Sequence, residues 1–238
     1  MNGLLLVDKP SGITSFGVVD RLKKEFGLRR VGHGGTLDPL ATGLLVVLIG
    51  AATKTARVFL EGDKIYLADL LLGRETDTQD VAGELVKEKD YVAVGRRELE
   101  EALNLFRGEI EQVPPMVSAL KYHGRRLYEL ARQGKEVFRP PRRVVVKELK
   151  LVEFLPPVVR LLVRSSKGTY LRTLCHDLGK KLGCGGCLSN LRRLASGSFR
   201  VEDALPLSRL LELDRRGLTE RLVFPPAPAS ASPCRPFS

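Results

Sequence analysis

The sequence predicts an α+β fold. Patterns typical of strands and of amphipathic helices are both present, but they do not alternate regularly as βαβ units do. The chain has 238 residues, 43% of them hydrophobic, which is enough core for one large domain or two small ones. No internal repeat is visible. A mixed sheet domain is therefore favoured over a doubly wound parallel fold.

The first elements can be predicted from apolar spacing and from end signals. Residues 4–7 form a short apolar run that indicates a buried strand. Thr14 or Ser15 can cap the helix that follows, whose apolar residues recur at helical spacing, and Gly27 would end it. Further strands are predicted at residues 44–49, 64–72, 144–154 and 158–164, and further helices at residues 52–60, 97–106, 125–133, 169–182 and 206–213.

Three segments between these elements have a composition of their own. Residues 73–83 contain Glu75, Asp77 and Asp80 without the spacing of a calcium loop, so we expect a solvated polar loop. Pro156 and Pro157 separate two predicted strands and resemble a hairpin connection. From residue 225 to 238 the chain is rich in Pro, Ala and Ser, which predicts disorder. In the last helix, Ser208 is a possible cap.

The balance of charge points to a polyanionic partner. The formal net charge is +11, and a basic surface attracts polyanions and speeds their encounter. Nucleic acid is the leading candidate, and an acidic membrane is less favoured because no basic amphipathic helix stands out. Several basic pairs are reasonable contacts for phosphates: Arg29-Arg30, Arg125-Arg126, Arg142-Arg143, Lys180-Lys181 and Arg192-Arg193.

The amino terminus and the cysteines give weaker signals. No apolar stretch is long enough to span a bilayer and no signal-peptide pattern opens the chain, so we expect a cytoplasmic protein. Cys184 and Cys187 form a CxxC, but no second pair completes a zinc site, so no metal is expected. No nucleotide-binding glycine motif is present either.

The run GHGGTLDPLATG at residues 32–43 carries the most information. Its glycines permit close approach to a bulky ligand, and Pro39 holds the preceding Asp38 in extended geometry. A single carboxylate in such a rigid, open frame suits presentation to a ligand. An ordinary Gly/Asp/Pro surface turn explains the composition equally well.

This run resembles the catalytic motif of the TruB family, the tRNA pseudouridine-55 synthases. Four other segments resemble motifs of that family in the same order: LLLVDKPSGITSF near the start, DKIY at residues 63–66, SSKGTYLRTLCHDLGKKLGCGG at residues 165–186, and LRR at residues 191–193. The resemblance covers residues 4 to 206. Five ordered motifs are more specific than any one of them.

The resemblance implies a pseudouridine-synthase fold, a mixed and largely antiparallel sheet flanked by helices with the active-site cleft across it. Residues 1–224 would form the catalytic domain, and the C-terminal PUA domain common in the family would be absent. The implied activity is cofactor-free isomerisation of uridine 55 in the T-loop of tRNA. The T-arm would be bound without an obligatory protein partner, by a monomer.

The resemblance also assigns roles to residues. Asp38 would be the catalytic carboxylate, either attacking C1′ or removing a C2′ proton, and Arg172 would keep it ionised. Tyr66 would stack on the uracil and accept the C5 proton. His33 would fill the space left by the flipped base. The remaining positions line the base pocket, Tyr170 and Leu191, or support the active loop, Lys9 and Pro10.

Three other functions remain open. A guide-RNA-dependent synthase of the dyskerin type would need protein partners. A non-catalytic tRNA-binding or tRNA-folding protein would explain the basic patches equally well. A zinc-dependent nucleic-acid protein could use Cys184 and Cys187.

Overall fold

A computed structural model describes residues 1–223, except for the side chains of residues 57 and 58. The predicted tail at residues 225–238 lies outside the described residues. Within residues 1–223 there are fourteen strands: β1 Gly3–Lys9, β2 Val31–His33, β3 Thr42–Ile49, β4 Lys64–Leu72, β5 Arg74–Thr76, β6 Leu85–Glu88, β7 Gly108–Gln112, β8 Lys121–Tyr122, β9 Arg125–Arg126, β10 Arg142–Leu155, β11 Val158–Ser165, β12 Gly186–Ser196, β13 Phe199–Arg200 and β14 Leu205–Pro206.

The same residues form seven α-helices and two short 3₁₀ helices. The α-helices are α1 Ser15–Phe26, α2 Ala56–Glu61, α3 Arg96–Leu105, α4 Leu127–Ala131, α5 Leu171–Lys181, α6 Leu207–Leu211 and α7 Arg215–Glu220. The 3₁₀ helices are Gly50–Thr55 and Val201–Asp203. No helix in this part of the chain is both long and apolar enough to cross a membrane.

The chain divides into two compact units. The first comprises Met1–Ile65 and the chain from Arg192 onward, and the second comprises Tyr66–Leu191. Strands β4 and β12 each begin in one unit and continue into the other. Each unit contains mixed or antiparallel strands together with helices, as the predicted α+β class requires.

In the first unit the strand order is β14, β1, β3 and β12. β1 pairs with β3 antiparallel in unbroken register from Gly3 opposite Ile49 to Lys9 opposite Gly43. β14 joins β1 in parallel, β12 joins β3 in parallel, and β2 adds to β3 antiparallel. The antiparallel β1–β3 pair places Lys9 beside the start of β3, where the glycine-rich run ends.

Strands β1 and β3 are covered on both faces. Alternate side chains face different cores because successive residues of a strand point to opposite sides. Leu5, Val7 and Val47 pack with α1, α6 and α7, whereas Leu4, Leu6 and Val46 pack with Ala52 and Val201. This double burial explains why both strands read as continuous apolar runs in the sequence.

Helix α1 follows its end signals closely. The Thr14 hydroxyl caps the helix by accepting a hydrogen bond from the amide of Gly17 at 2.9 Å. Gly27 ends it in a left-handed conformation, with φ 60°. Val18, Leu22 and Phe26 form its buried stripe.

The second unit contains the sheet order β4, β11, β10 and β7. β10 and β11 form the hairpin predicted around Pro156 and Pro157, and β7 pairs with β10 antiparallel. Asp69 on β4 accepts two hydrogen bonds from the Arg160 guanidinium on β11, at 2.8 and 3.0 Å. Helix α5, which carries Arg172, is the next element after β11 in the chain.

The prediction of a solvated polar loop at residues 73–83 is partly wrong. The first residues of this segment form strand β5, which pairs with β6 beyond the loop. Asp80 is buried at 7% exposure, and its carboxylate accepts from the Thr78 hydroxyl at 2.7 Å. The carbonyl of Gln79 accepts from the amide of Leu188, and the carbonyl of Leu188 accepts from Val81. This segment is therefore packed and hydrogen-bonded to the chain around it.

Several other element predictions need correction. β12, at eleven residues, was not expected at all, and α7 follows the helix that was predicted to be the last. Pro206, not Ser208, occupies the N-cap of α6. Residues 52–60 divide into a 3₁₀ helix and α2, and α4 is confined to Leu127–Ala131 because Arg125 and Arg126 form β9.

Candidate active site

The predicted site residues fall into two sets, one in each unit. Lys9, Pro10, His33 and Asp38 belong to the first unit. The second unit contains the other set, which comprises Tyr66, Tyr170, Arg172 and Leu191.

Asp38 lies in a loop whose backbone is hydrogen-bonded on both sides of it. On one side, the Ser15 hydroxyl accepts from the amide of Leu37 at 2.8 Å and donates to its carbonyl at 3.1 Å. On the other side, the carbonyl of Pro39 accepts from the amide of Gly12 at 2.9 Å. Asp38 itself is half-buried. The carboxylate is thus mounted on a backbone with little freedom to move.

Lys9 stabilises the same loop through hydrogen bonds to backbone carbonyls. Its side chain is fully buried, and its ammonium group donates to the carbonyls of Pro10, Ile13 and Pro39 at 2.9, 2.7 and 3.3 Å. Burial lowers the pKa of Lys9 to about 8, although the negative charge of Asp38 acts in the opposite direction. Lys9 therefore contacts the backbone directly after Asp38, and Pro10 contributes a carbonyl to the same ammonium group.

Arg193 supports the start of the loop and was not expected to do so. Its guanidinium donates to the carbonyls of Leu44, Gly35 and Thr36 at 2.7, 3.1 and 3.4 Å. The residue is only 2% exposed. The prediction that Arg193 contacts phosphates is wrong, because its donors are occupied by the backbone of the Asp38 loop and of β3.

The neighbouring Arg192 is also engaged in the first unit. Its guanidinium donates two hydrogen bonds to the carboxylate of Asp8, at 3.0 and 2.7 Å. Asp8 follows Val7 on β1 and precedes Lys9. Of the two arginines in the LRR motif, Arg193 therefore contacts the loop itself and Arg192 contacts β1.

Gly43 allows β12 to approach β3 at this point. A Cβ atom at Gly43 would lie 2.3 Å from the carbonyl oxygen of Arg193, and its φ of 94° disfavours any other residue. The close approach brings the Arg193 side chain within hydrogen-bonding distance of the loop carbonyls. The glycine at the end of GHGGTLDPLATG is thus required by packing.

His33, at the end of β2, is half-buried. Its Nδ1 atom is buried without a hydrogen-bond partner within residues 1–223. Burial and the charge of Arg193 both lower the pKa of His33, so the ring is neutral at pH 7. A neutral ring can donate one hydrogen bond and accept another.

In the second unit, Arg172 is buried in the first turn of α5 at 3% exposure. Its guanidinium donates to the carbonyls of Thr78 and Val117 at 3.0 and 2.8 Å, and Nε lies 3.7 Å from the Asp80 carboxylate. It is not an exposed helix residue. Asp80 was missed by the sequence analysis, since its acidic neighbours indicated only a solvated loop.

Tyr170 is held through its backbone, and Tyr66 is buried on β4. The side-chain amide of Gln112, 1% exposed, donates to the carbonyl of Tyr170 at 3.2 Å and accepts from its amide at 3.0 Å. This pair fixes the entry into α5. Tyr66 on β4 is 8% exposed and Leu191 on β12 is 5% exposed. Gln112 carried no signal in the sequence.

The zinc alternative gains nothing from the geometry. Within residues 1–223 no group of three or more His, Cys, Asp or Glu side chains is arranged to hold a metal ion. Cys184 and Cys187 are buried free thiols, and burial raises the pKa of Cys187 to about 11. A thiol in that state is a poor metal ligand.

Two family models match the chain. The TruB family pseudouridylate synthase N-terminal domain matches residues 23–171, and the tRNA pseudouridylate synthase B C-terminal domain matches residues 172–223. Together they extend across the motifs from the glycine-rich loop to the LRR segment.

Curated relatives and solved structures agree with the family match. The chain is 50% identical over 210 residues to tRNA pseudouridine synthase B of Syntrophotalea carbinolica, covering 88% of this chain and 69% of the relative. It is 46% identical over 205 residues to the protein of the same name from Endomicrobium trichonymphae, covering 86% and 89%.

Among solved structures, a crystal structure of a Cbf5-Nop10-Gar1 complex aligns with a TM-score of 0.70 and 32% identity. The alignment covers 88% of this chain and 54% of that one, so the chain spans about half the length of this structural relative. This likeness confirms the predicted fold. The family matches and the relatives together show that the chain belongs to the TruB family of pseudouridylate synthases.

Proposed function

We propose that this enzyme converts uridine 55 in the T-loop of tRNA to pseudouridine. The enzyme would act in the cytoplasm as a monomer, without a cofactor or an obligatory protein partner. The relatives named tRNA pseudouridine synthase B support the tRNA substrate. The net charge of +11 suits a polyanionic substrate. The observation that carries the proposal is the mounting of Asp38 between backbone segments tied down by Ser15 and Lys9.

The reaction exchanges one bond of C1′ for another. The N1–C1′ bond breaks with its electron pair leaving on the uracil, the base turns, and C5 forms a bond to C1′. The C5 proton is then removed and N1 gains a proton, so no redox partner is needed. Asp38 would assist the first step, either by attacking C1′ or by removing a proton from C2′.

Arg172 would keep the Asp38 carboxylate ionised in a site that excludes water. This role is proposed from the resemblance of the SSKGTYLRT motif; the guanidinium is buried and also donates to two carbonyls and lies near the Asp80 carboxylate.

The remaining residues would handle the base. Tyr66 would stack on the uracil and accept the C5 proton, and Tyr170 and Leu191 would line the pocket. His33 would occupy the space left by the flipped nucleotide, which costs a few kcal/mol to extrude. Its neutral ring, imposed by burial and by Arg193, suits contact with stacked bases.

The test is Asp38→Asn, which keeps the shape of the side chain and removes its charge. We expect no pseudouridine at position 55 of a tRNA transcript, with tRNA affinity changed less than about threefold. Asp20→Asn is the matched control, because Asp20 is a partly exposed carboxylate on α1 that pairs with Lys24. Turnover by Asp38→Asn near the level of the control would overturn the proposal.

The likeness to the Cbf5-Nop10-Gar1 complex favours one alternative, a guide-RNA-dependent synthase. Activity of the purified chain on unmodified tRNA, with no other protein or RNA added, would exclude it. A protein that only binds tRNA would release no tritium from C5-labelled tRNA, whereas the proposed isomerase releases it with each turnover.

A further inference from the structure

A basic groove lies in the first unit at the end of β3 farthest from the Asp38 loop. It has a volume of about 600 Å³ and is lined by Asn2, Gly50 and four cationic side chains, Arg29, Arg30, Lys54 and Arg215. β3 runs from Thr42, beside the loop, to Ile49, beside the groove. Eight residues of strand place the two ends about 23 Å apart. The groove is therefore distant from the Thr42 end of the Asp38 loop, whereas β2 connects Arg30 of the groove to His33 at the start of that loop.

The floor of the groove is rigid. The Asn2 side-chain oxygen accepts from the amide of Ala51 at 2.7 Å, and the carbonyl of Arg30 accepts from the amide of Gly50 at 2.8 Å. Gly50 has a φ of 62°, and a Cβ there would lie 2.0 Å from the Asn2 side-chain oxygen. These contacts tie the amino terminus, the segment before β2 and the end of β3 together.

The four cations have no carboxylate among them. No Asp or Glu lines the groove, and within residues 1–223 none of the four forms an ion pair. Other exposed cations of the same unit do have partners: Lys24 with Asp20, Arg209 with Glu212, and Arg216 with Glu220.

Exposed cations on a concave surface attract phosphates because their fields add in the same space. All four side chains are exposed, so they can reach a ligand without losing packing. Arginine is suited to phosphate because its planar donors match two phosphate oxygens. The rigid floor reduces the ordering cost of binding.

We propose that this groove binds the sugar-phosphate backbone of the tRNA at a point away from the target loop. The inference rests on the proposed tRNA substrate and adds a second contact region to it. A ligand that contacts both the groove and the end of β3 nearest Asp38 must extend about 23 Å, the length of that strand, and a tRNA satisfies this. The groove would then contribute affinity and would leave the chemical step unaffected.

The test compares two double variants that remove the same charge. Arg30→Gln/Arg215→Gln removes two groove cations, and Lys24→Gln/Arg209→Gln removes two cations that have carboxylate partners elsewhere in the unit. Equilibrium binding of unmodified tRNA is measured at several salt concentrations, together with kcat at saturating tRNA. Circular dichroism melting shows that both variants remain folded.

We expect the groove variant to bind tRNA about tenfold more weakly, with kcat unchanged. The slope of log Kd against log salt should fall by about 1.4 to 1.8, which corresponds to two lost phosphate contacts. The control variant should keep both the affinity and the slope within experimental error. A second pair, Arg29→Gln/Lys54→Gln, should behave like the first.

Equal slopes for the groove and control variants would overturn the inference. It would also fail if the groove variants lost binding to vesicles containing phosphatidylserine while tRNA binding stayed intact, since the ligand would then be a lipid surface. Because the measurement is of binding, it is independent of whether Asp38 performs the chemistry. If the wild-type protein showed no turnover while the salt slopes of the groove and control variants still differed, only the proposed function would be contradicted.

Discussion

Lys9 donates a hydrogen bond from its buried ammonium group to the backbone carbonyl of Pro39, the residue directly after Asp38, over 3.3 Å. The same group bonds to the carbonyls of Pro10 and Ile13. One cation thus joins the end of β1, the start of α1 and the loop of the candidate carboxylate. Its removal would affect both the stability of the fold and the position of Asp38.

The protonation of Lys9 makes stability depend on pH. Burial lowers its pKa to about 8, against an ordinary value of 10.5. Between these two pH values the unfolded chain binds more protons than the folded one, so stability should rise with pH across this window. Below pH 8 the full cost of burying the charge is present.

Lys9→Met should remove this pH dependence of stability. We expect the variant to be less stable at pH 7 because three carbonyls lose their donor, at a cost of about 2–4 kcal/mol. Urea unfolding at several pH values from 7.5 to 10.5 measures the effect. The free energy of unfolding of the wild type should rise relative to that of the variant over this range, and parallel curves would contradict the assignment to Lys9.

Arg193 and Arg192 provide a matched pair of substitutions. Arg193→Met leaves the carbonyls of Leu44, Gly35 and Thr36 without their buried donor, so the free energy of unfolding should fall by about 2–4 kcal/mol. Arg192→Met breaks a partly exposed pair with Asp8, which is worth about 1 kcal/mol or less. Denaturant unfolding compares the two.

Activity separates the two arginines further. The folded fraction of Arg193→Met should have a lower kcat, since the loop that carries Asp38 loses one of its anchors. Arg192→Met should keep its kcat within about twofold. If both substitutions had the same small effect on stability and rate, Arg193 would not be an anchor of the loop.

Ser15 and Thr14 are adjacent hydroxyl residues with different partners. Ser15→Ala removes both hydrogen bonds to Leu37, and Thr14→Ala removes the N-cap of α1. Each should cost about 1–2 kcal/mol of stability. Only Ser15→Ala should lower kcat, because only Ser15 holds the residue before Asp38.

Steady-state kinetics on tRNA, at a temperature where both variants are fully folded, tests this difference. We expect kcat of Ser15→Ala to fall by about tenfold with KM little changed, because small errors in the position of a catalytic group are costly. Equal kcat values for the two variants would show that the Ser15 contacts do not govern the position of Asp38.

Local signals were sufficient for part of the fold. Thr14 and Gly27 delimit α1 as predicted, and the strand predicted at residues 64–72 matches β4. Both elements are determined by residues close together in the sequence. The α7 helix also had a local signal, the Asp214 cap that accepts from Gly217, but the glycine within the helix weakened the pattern.

Other features depend on contacts that are distant in the sequence. The middle of β12 contains Arg192 and Arg193, so it shows neither a polar–apolar alternation nor an apolar run. Arg193 is buried because its partners are carbonyls about 150 residues earlier, and a single sequence does not record such a relation. Asp80 is similar, since its partner Arg172 lies on α5.

The same distinction applies to the candidate site. Motif residues such as Asp38 and Arg172 were recognisable because their neighbours in the chain are characteristic. The residues that hold them, Ser15, Arg193 and Gln112, act through backbone carbonyls and amides of other segments. Their roles became visible only with the hydrogen-bond geometry.

The double covering of β1 and β3 has a consequence for how the enzyme fails on heating. The anchors of the Asp38 loop project from the part of the unit that is least exposed to solvent, where local opening is rare and whole-unit opening dominates. Fraying of peripheral hairpins would leave the Asp38 carboxylate in its position. Loss of catalysis and cooperative melting of this unit should therefore share one transition.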